Sequence, residues 1–445
     1  MSQITLPMGA GDGHSGTHDR SPRIEAHIAA RSQLDPASVT LPRGAGRGLT
    51  MLLLLAGLAS IAATVVGGMS GNEHAASHAM ISYHMGFIYV LGLALGSLGI
   101  TMIFQQFNAG WAAAVRRQAE NVASNIWFVG LLFLPVVILE VFVFRSSPKL
   151  FEWMNPALVD PKSGSFDFLL DKKKVFLNGE FWAIRYALYF TIWTVLALRL
   201  AKLSRLQDVT GDKWLTAKAR KISSYGLLLF ALTAAFGSFD WLMSLDHHWF
   251  STMFGVWFFA GSIRAAIALL IVILCVLKIR GKLAGTYTVE HMHDHGKLLL
   301  AFTVFWAYIT FCQYFLIWYS NIPEETAFYN LRVAPAWQPL PQIMIIMNFV
   351  VPFLLLLIRK IKRNPRTLLA VAAFVLVAYS LDIYFIVRPM LHGVGFGENV
   401  WLDVLGILGP IFLFLAMVVR RVVSAPLVPI KDPRLHEVLA HKNYV

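Results

Sequence analysis

Ten long apolar segments limit most strongly what this chain of 445 residues can fold into. A helix that spans a membrane needs about 20 mostly apolar residues. Segments of this kind lie at about 48–68, 80–104, 123–144, 181–201, 223–244, 252–278, 298–319, 341–359, 367–388 and 400–420. Hydrophobic residues make up 57% of the chain and charged residues 14%, whereas a soluble domain is about 25% charged. The sequence therefore predicts an all-α polytopic membrane protein with ten transmembrane helices. It excludes a soluble enzyme, a disordered protein and a nucleic-acid-binding protein.

The composition also divides the chain into regions. Residues 1–46 are rich in Gly, Ser, His, Arg and Pro and contain no apolar run, which predicts a disordered leader rather than a signal peptide. Residues 47–421 form the predicted membrane domain, with one long external loop at 145–180. Residues 422–445 are predicted to be a cytoplasmic tail.

The distribution of basic residues predicts the orientation. If the N-terminus is cytoplasmic, 28 of the 38 Lys and Arg residues lie in cytoplasmic segments or at the adjoining helix ends. Cytoplasmic loops carry such an excess of basic residues. We therefore expect both termini in the cytoplasm. The run Lys172 to Lys174 lies in the external loop, where it is either solvated charge or a docking surface for an external partner.

Redox ligands are not evident in the sequence. Cys275 and Cys312 lie in apolar stretches without a CxxC or CxxCH pattern, which favours core packing over a haem, cluster or zinc site. The tract His291 to His295 could bind a metal ion, but its position favours a polar loop before helix 7, and we assign it no role. The sequence thus predicts no cofactor or metal held by this chain, so any electron acceptor must belong to another subunit.

Ionisable residues at membrane depth are costly and are candidates for function. Four of them fall in the outer third of the predicted helices: His84, Glu140, Arg185 and Asp240. A layer of acid, base and imidazole suits quinol binding or proton transfer near the outer face. Alternatively, Arg185 pairs with Glu140 or Asp240 and fixes helix packing.

Further polar residues are candidates for a proton route or for ion pairing: Arg264, Asp246, His247, His248 and Asp382. Asp246, His247 and His248 also fit a simple interfacial turn. The glycine series of helix 2, at 86, 92, 96 and 99, predicts close helix packing. Pro352 is expected to kink helix 8.

Four stretches together resemble a known family. They are FGSFDWLMSLDHHWFSTMFGVWFFAG at Phe236–Gly261, GKLLLAFTVFWAYITFCQYFLIWYSNIPEE at Gly296–Glu325, the segment with Trp111, Arg116 and Arg117, and the segment from Phe176 to Phe190. The chain resembles, over residues 45 to 425, the second quinone-binding membrane subunit of bacterial alternative complex III, a quinol:cytochrome c oxidoreductase. That subunit is similar to the NrfD-type membrane subunits of polysulfide reductases.

The resemblance implies an architecture and a set of partners. Helices 2–5 and 6–9 would form two four-helix bundles, flanked by helices 1 and 10. Quinol would be oxidised at the outer face of the bacterial inner membrane. Electrons would pass to an iron–sulfur subunit and to multihaem and monohaem cytochrome c subunits, beside a sister quinone-binding membrane subunit and lipid. No nucleic acid is implied.

Two other functions remain open at this point. In the first, the chain is a proton-conducting or scaffold subunit whose quinone pocket is vestigial. In the second, more remote one, two four-helix halves form a secondary transporter. Transporters bind their substrates near the membrane midplane, whereas most of the intramembrane charges here lie in the outer third.

Overall fold

The computed structural model describes residues 34–42, 44–70, 74–107, 109–391 and 395–442. These residues form helices and connecting turns without any strand. Ten helices are long and apolar enough to cross a membrane, so the predicted all-α, ten-helix membrane fold is confirmed. They are α1 (Arg47–Gly68), α2 (Ala75–Gln106), α3 (Ala113–Val143), α4 (Gly179–Thr210), α5 (Trp214–Leu245), α6 (Phe254–Ile279), α7 (Val289–Ser320), α8 (Pro339–Leu357), α9 (Pro365–Met390) and α10 (Val400–Val423).

Several helices extend well beyond their apolar segments. α2, α4, α5 and α7 each have 32 residues, which is roughly 48 Å at 1.5 Å per residue and exceeds a hydrocarbon core of about 30 Å. The tract His291 to His295 lies in the first turns of α7, and its three histidines are buried. The prediction of a polar loop there was wrong, because Thr288 and His291 form a capping box that starts the helix earlier.

The alternating helices define two ends of the molecule. The helices α2, α4, α6, α8 and α10 begin at one end, which we call the upper end. The opposite end is called the lower end. Short helices at the upper end are Glu152–Met154, Pro156–Leu158 and Phe168–Lys173 between α3 and α4, and Pro323–Val333 between α7 and α8. Arg359–Arg363 and Leu435–Leu439 are short helices at the lower end.

α2 and α6 occupy the centre of the fold. In the most apolar stretch of 18 residues in α2, 94% is buried within the protein. The corresponding share is 83% in α6 and 17% in α1. Each of α2 to α5 contacts the next, and α5 returns to α2; α6 to α9 contact one another in the same way. α10 packs on α1 and α2. Contacts between neighbours do not define bundle axes, so the arrangement in two four-helix bundles stays a prediction.

Glycines of α2 allow the two central helices to meet closely. A Cβ atom at Gly96 would lie 2.2 Å from the carbonyl oxygen of Ser262 in α6, and one at Gly86 would lie 2.6 Å from the carbonyl oxygen of Gly406 in α10. These obstacles are backbone atoms, which no side-chain rotation can move. Gly96 and Gly86 therefore pack α2 closely against α6 and α10, as the glycine series predicts.

Replacing Gly96 with alanine should therefore destabilise the protein. Forcing a methyl group into a packed contact costs about 1–3 kcal/mol, although alanine is the better helix former by about 1 kcal/mol. The thermal melting temperature in detergent measures the effect. Gly48→Ala in α1 is the matched control, because its Cβ would meet nothing within 4 Å. An equal melting temperature for both variants would contradict the close approach.

The chain segments on either side of the membrane domain pack at the lower end. Residues 34–42 contain the helix Pro36–Val39, and the carbonyl oxygens of Ser38 and Val39 accept hydrogen bonds from the N–H groups of Leu283 and Leu427. The predicted disorder of the leader was wrong for these residues, because they pair with two other segments. Residues 1–33 and 43 lie outside the described residues. In the tail, Asp432 is fully buried beside Arg116, with 2.6 Å between Oδ2 and Nη2.

Candidate functional site

Arg185 of α4 and Asp240 of α5 form a buried ion pair at the upper end. Nε and Nη2 of Arg185 donate to the two carboxylate oxygens of Asp240 at 2.8 and 2.6 Å, and the Tyr189 hydroxyl donates to Oδ2 at 3.0 Å. This is the two-pronged geometry that strengthens Arg–carboxylate pairs. Of the two partners considered from the sequence, Arg185 pairs with Asp240 and not with Glu140.

The third guanidinium nitrogen of Arg185 and the face of the group also have partners. Nη1 of Arg185 donates to the carbonyl oxygen of Phe176 at 2.9 Å, and the guanidinium lies 3.9 Å from the centre of the Phe176 ring. Arg185 and Asp240 therefore satisfy each other and leave little capacity for a reacting group. Their arrangement favours a structural role, which was the alternative considered from the sequence.

His84 of α2 is fully buried and reaches the end of α5. Its Nε2 lies 2.6 Å from the carbonyl oxygen of Trp241. The last carbonyls of a helix have no partner within the helix, and α5 ends here in a 3₁₀ turn, Met243–Leu245. Because Nε2 must donate to that carbonyl, Nδ1 of neutral His84 is an acceptor. Nδ1 has no hydrogen-bond partner among the described residues, so its lone pair is unpaired.

Glu140 of α3 is fully buried and is enclosed by the loop that follows its own helix. It lies in the π-helical segment Leu139–Val143. Its carboxylate accepts the backbone N–H groups of Lys149 and Leu150 on Oε1, at 3.1 and 3.2 Å, and that of Phe151 on Oε2 at 3.1 Å. Three such bonds favour the ionised form of the carboxylate, whereas its burial favours the neutral form. π-helical turns within α-helices frequently occur at functional sites.

Phe151 connects these two groups. Its N–H binds Glu140, and its ring contacts His84 edge-on, with 5.8 Å between the ring centres. The surrounding space is filled with aromatic rings, including Phe87 and Phe133, which stack at 4.0 Å. The structure thus gathers all four predicted residues at one end of α2–α5. Their predicted chemical roles stay predictions.

A second buried polar cluster joins α6, α7, α8 and α9. Arg264 is fully buried and donates to both the backbone and the side-chain oxygens of Asn348. Pro352 has no N–H to offer the carbonyl four residues earlier, which is that of Asn348, and Arg264 supplies this bond at 2.9 Å. The guanidinium also lies 4.4 Å from the centre of the Trp306 ring.

Asp382 belongs to the same cluster. Its Oδ2 accepts the indole N–H of Trp306 at 3.0 Å, while Oδ1 has no partner among the described residues. Arg388, at the end of the same helix, instead pairs with Asp403 of α10 at 3.0 Å. That carboxylate also binds His78 of α2 at 2.9 Å. Arg264 and Asp382 therefore share one network, and Arg388 belongs to another.

A cavity lies beside this second cluster, and His84 is not among its lining residues. It has a volume of about 640 Å³ and lies between α7, α8, α9 and the helix Pro323–Val333. Trp306, Tyr314, Tyr329, Gln342 and Thr310 are among its lining residues. Oγ1 of Thr310 is buried without a partner among the described residues. An apolar cavity with a few polar groups is typical of small-molecule sites.

Asp246, His247 and His248 lie in the turn between α5 and α6, as the sequence indicates. Both histidines contact Asp167 of the long loop. Burial lowers the pKa of His247, and the neighbouring His248 lowers it further. Burial raises the pKa of Asp167, but hydrogen bonds from His248, the Leu170 N–H and His247 bring it below its usual range. An ionised carboxylate therefore lies beside a largely neutral imidazole at neutral pH.

Comparisons with known proteins add no assignment to this geometry. No protein-family model matches the chain, and no curated protein sequence matches it significantly. The family resemblance therefore rests on the motifs quoted above and stays a prediction.

Sequence reasoning missed several residues that complete these sites. Three of them bind a predicted residue through an uncharged group: the backbone N–H of Phe151, the amide of Asn348 and the indole of Trp306. The fourth, Asp167, reaches its partners from the long loop between α3 and α4. Pro352 was a usable signal for Asn348, because a proline in a helix frees the carbonyl four residues before it. For Phe151 the sequence carries no comparable signal, since its backbone N–H makes the contact.

Proposed function

We propose that this chain is an integral membrane subunit of a quinol:cytochrome c oxidoreductase, or of a related complex with another acceptor. Support comes from the resemblance at Phe236–Gly261 and Gly296–Glu325 and from the ten-helix membrane fold. The excess of Lys and Arg in the lower-end segments supports a cytoplasmic lower end, with both termini on that side of a bacterial inner membrane. The upper end would then face outward.

Within such a complex, the part we assign to this chain is proton transfer at the upper end. One observation carries this assignment: buried His84 has an unpartnered Nδ1 and contacts Phe151, whose N–H binds Glu140. A neutral imidazole with an unpaired ring nitrogen can accept a proton released when a quinol is oxidised. Glu140 is held close to this site by the backbone of Phe151, while Arg185 and Asp240 hold α4 and α5 in place.

Quinol binding by this chain is the second candidate, and the cavity beside Trp306 favours it. Aromatic rings fill the space around His84, which disfavours a quinone ring there and supports the idea of a vestigial pocket. The cavity of about 640 Å³ between α7 and α8 is lined mainly by apolar and aromatic side chains. It would suit a quinone ring and part of its tail.

Electron transfer in this proposal belongs to partner subunits. The two cysteines lie apart from any haem or cluster motif, so electrons would pass to an iron–sulfur subunit and to multihaem and monohaem cytochromes c. A sister membrane subunit would lie beside this chain and contribute the principal quinol site.

Purification of the tagged chain from its native membrane in mild detergent tests this proposal. We expect it to bring along proteins with covalently bound haem c and with iron–sulfur clusters, together with quinol:cytochrome c activity. The same purification from cells with the untagged chain is the control. Recovery of the chain without any haem or iron protein, from membranes where it is stable, would contradict the proposal.

A further inference from the structure

We propose that Asp167, His247 and His248 form a binding site for a divalent transition-metal ion of the Zn²⁺ type. One ligand atom from each residue lies within 4.8 Å of the others. The three residues come from two separate segments: Asp167 from the long loop between α3 and α4, and the histidines from the turn between α5 and α6. A bound ion would therefore join these segments at the upper end.

The distances suit coordination by two imidazoles and a carboxylate. Ligands at the Zn–N and Zn–O distances of about 2.0–2.2 Å lie about 3.3 Å apart in a tetrahedral site. Nε2 of His247 lies 3.2 Å from Oδ2 of Asp167, and Nε2 of His248 lies 2.5 Å from the same oxygen. The His248 side chain is 55% exposed, so a small rotation about its side-chain bonds can lengthen its distance to Asp167.

Surrounding hydrogen bonds orient the ligands. Oδ1 of Asp167 accepts the backbone N–H groups of Leu169 and Leu170 at 2.9 and 3.1 Å, which leaves Oδ2 directed at the histidines. The backbone carbonyl of His247 accepts a bond from Nζ of Lys173 at 2.7 Å. Such supporting contacts fix ligand orientation in metal sites and strengthen binding.

The donor set selects the class of metal. Two imidazole nitrogens and one carboxylate oxygen suit Zn²⁺ and similar ions, whereas Mg²⁺ and Ca²⁺ prefer oxygen ligands alone. Three protein ligands leave a coordination position open for water or an external group. Because the long loop also carries Phe151, which binds Glu140 and contacts His84, the ion would fix the loop that encloses those residues. The site does not depend on the proposed function.

Zn²⁺ binding to the full chain, purified in detergent without a polyhistidine tag, tests the proposal. We measure bound metal after equilibrium dialysis, and the visible absorption of Co²⁺ as a spectroscopic substitute. Asp167→Asn keeps the ability to cap the helix but removes the carboxylate, and His248→Ala alters an exposed side chain. Each should weaken binding at this site by about 10-fold or more, and excess Mg²⁺ should not compete.

His74→Ala is the matched control, because His74 is an exposed histidine at the same end of the molecule. It should bind Zn²⁺ like the unaltered protein. The buried histidines of α7 at the lower end are unchanged in all variants, so any binding there is common to them. Equal affinity and stoichiometry in all four proteins, or no binding in any, would overturn the proposal and leave the three residues as a hydrogen-bonded contact between loops.

Discussion

Replacing Asp240 with alanine should destabilise the folded protein by about 3–5 kcal/mol, because it leaves the charge of Arg185 buried without its partner. Arg185 is 5% exposed and Asp240 is 1% exposed, so water cannot replace the lost carboxylate. The free energy of unfolding, followed by SDS titration in mixed micelles, measures the loss. Asp171→Ala is a suitable control: Asp171 pairs with Lys174, whose side chain is 57% exposed, and such surface pairs contribute about 0–1 kcal/mol.

A double variant separates the ion pair from general packing damage. Replacing a whole buried ion pair with apolar residues is often neutral, so Arg185→Met combined with Asp240→Ala should recover much of the stability. Residues in one network typically couple by about 0.5–3 kcal/mol. If the losses of the two single variants simply add in the double variant, the pair does not hold α4 against α5 in the way the structure indicates.

Replacing His84 with alanine in the assembled complex should lower quinol:cytochrome c turnover by about 10²-fold or more, since a positioned acid–base group contributes about 10²–10⁴-fold. This expectation rests on the proposed function. Steady-state turnover with a water-soluble quinol measures it, alongside the subunit content of the purified complex. His74→Ala, an exposed histidine just before the same helix, should retain normal turnover.

Glutamine at position 84 distinguishes proton transfer from hydrogen bonding. The amide of His84→Gln can still donate to the Trp241 carbonyl, which His84 meets at 2.6 Å, but it has no basic nitrogen to accept a proton. Turnover should therefore remain low while the melting temperature stays near normal. Normal turnover in both fully assembled variants would exclude a proton-transfer role for His84 and favour the scaffold alternative.

The ten helices could be predicted because each one is defined by local sequence. A run of about 20 apolar residues satisfies its own backbone within lipid as a helix, and all ten predicted segments overlap an observed helix. Their ends were less accurate where polar residues continue the helix. α3 starts at Ala113 rather than near 123, and α7 starts at Val289 rather than near 298.

The level of the polar residues was also predictable, because position along a helix fixes height in the membrane. His84, Glu140, Arg185 and Asp240 do lie at one end of their helices. Their partners were not predictable, because a long side chain can reach several neighbours at that level. Asp403 pairs with His78, which is 325 residues away in the chain, and the sequence contains no sign of this choice.

The sequence by itself therefore determined that the chain forms ten membrane-length helices and which ionisable groups are placed within them. Both follow from hydropathy summed along single segments. Only the tertiary structure decided that Arg185 pairs with Asp240, that backbone N–H groups enclose Glu140, and that Asp167 meets His247 and His248. These contacts depend on how separate helices and loops approach one another. Every residue except proline has a backbone N–H group, so the amino-acid sequence does not show which of them will bind a side chain.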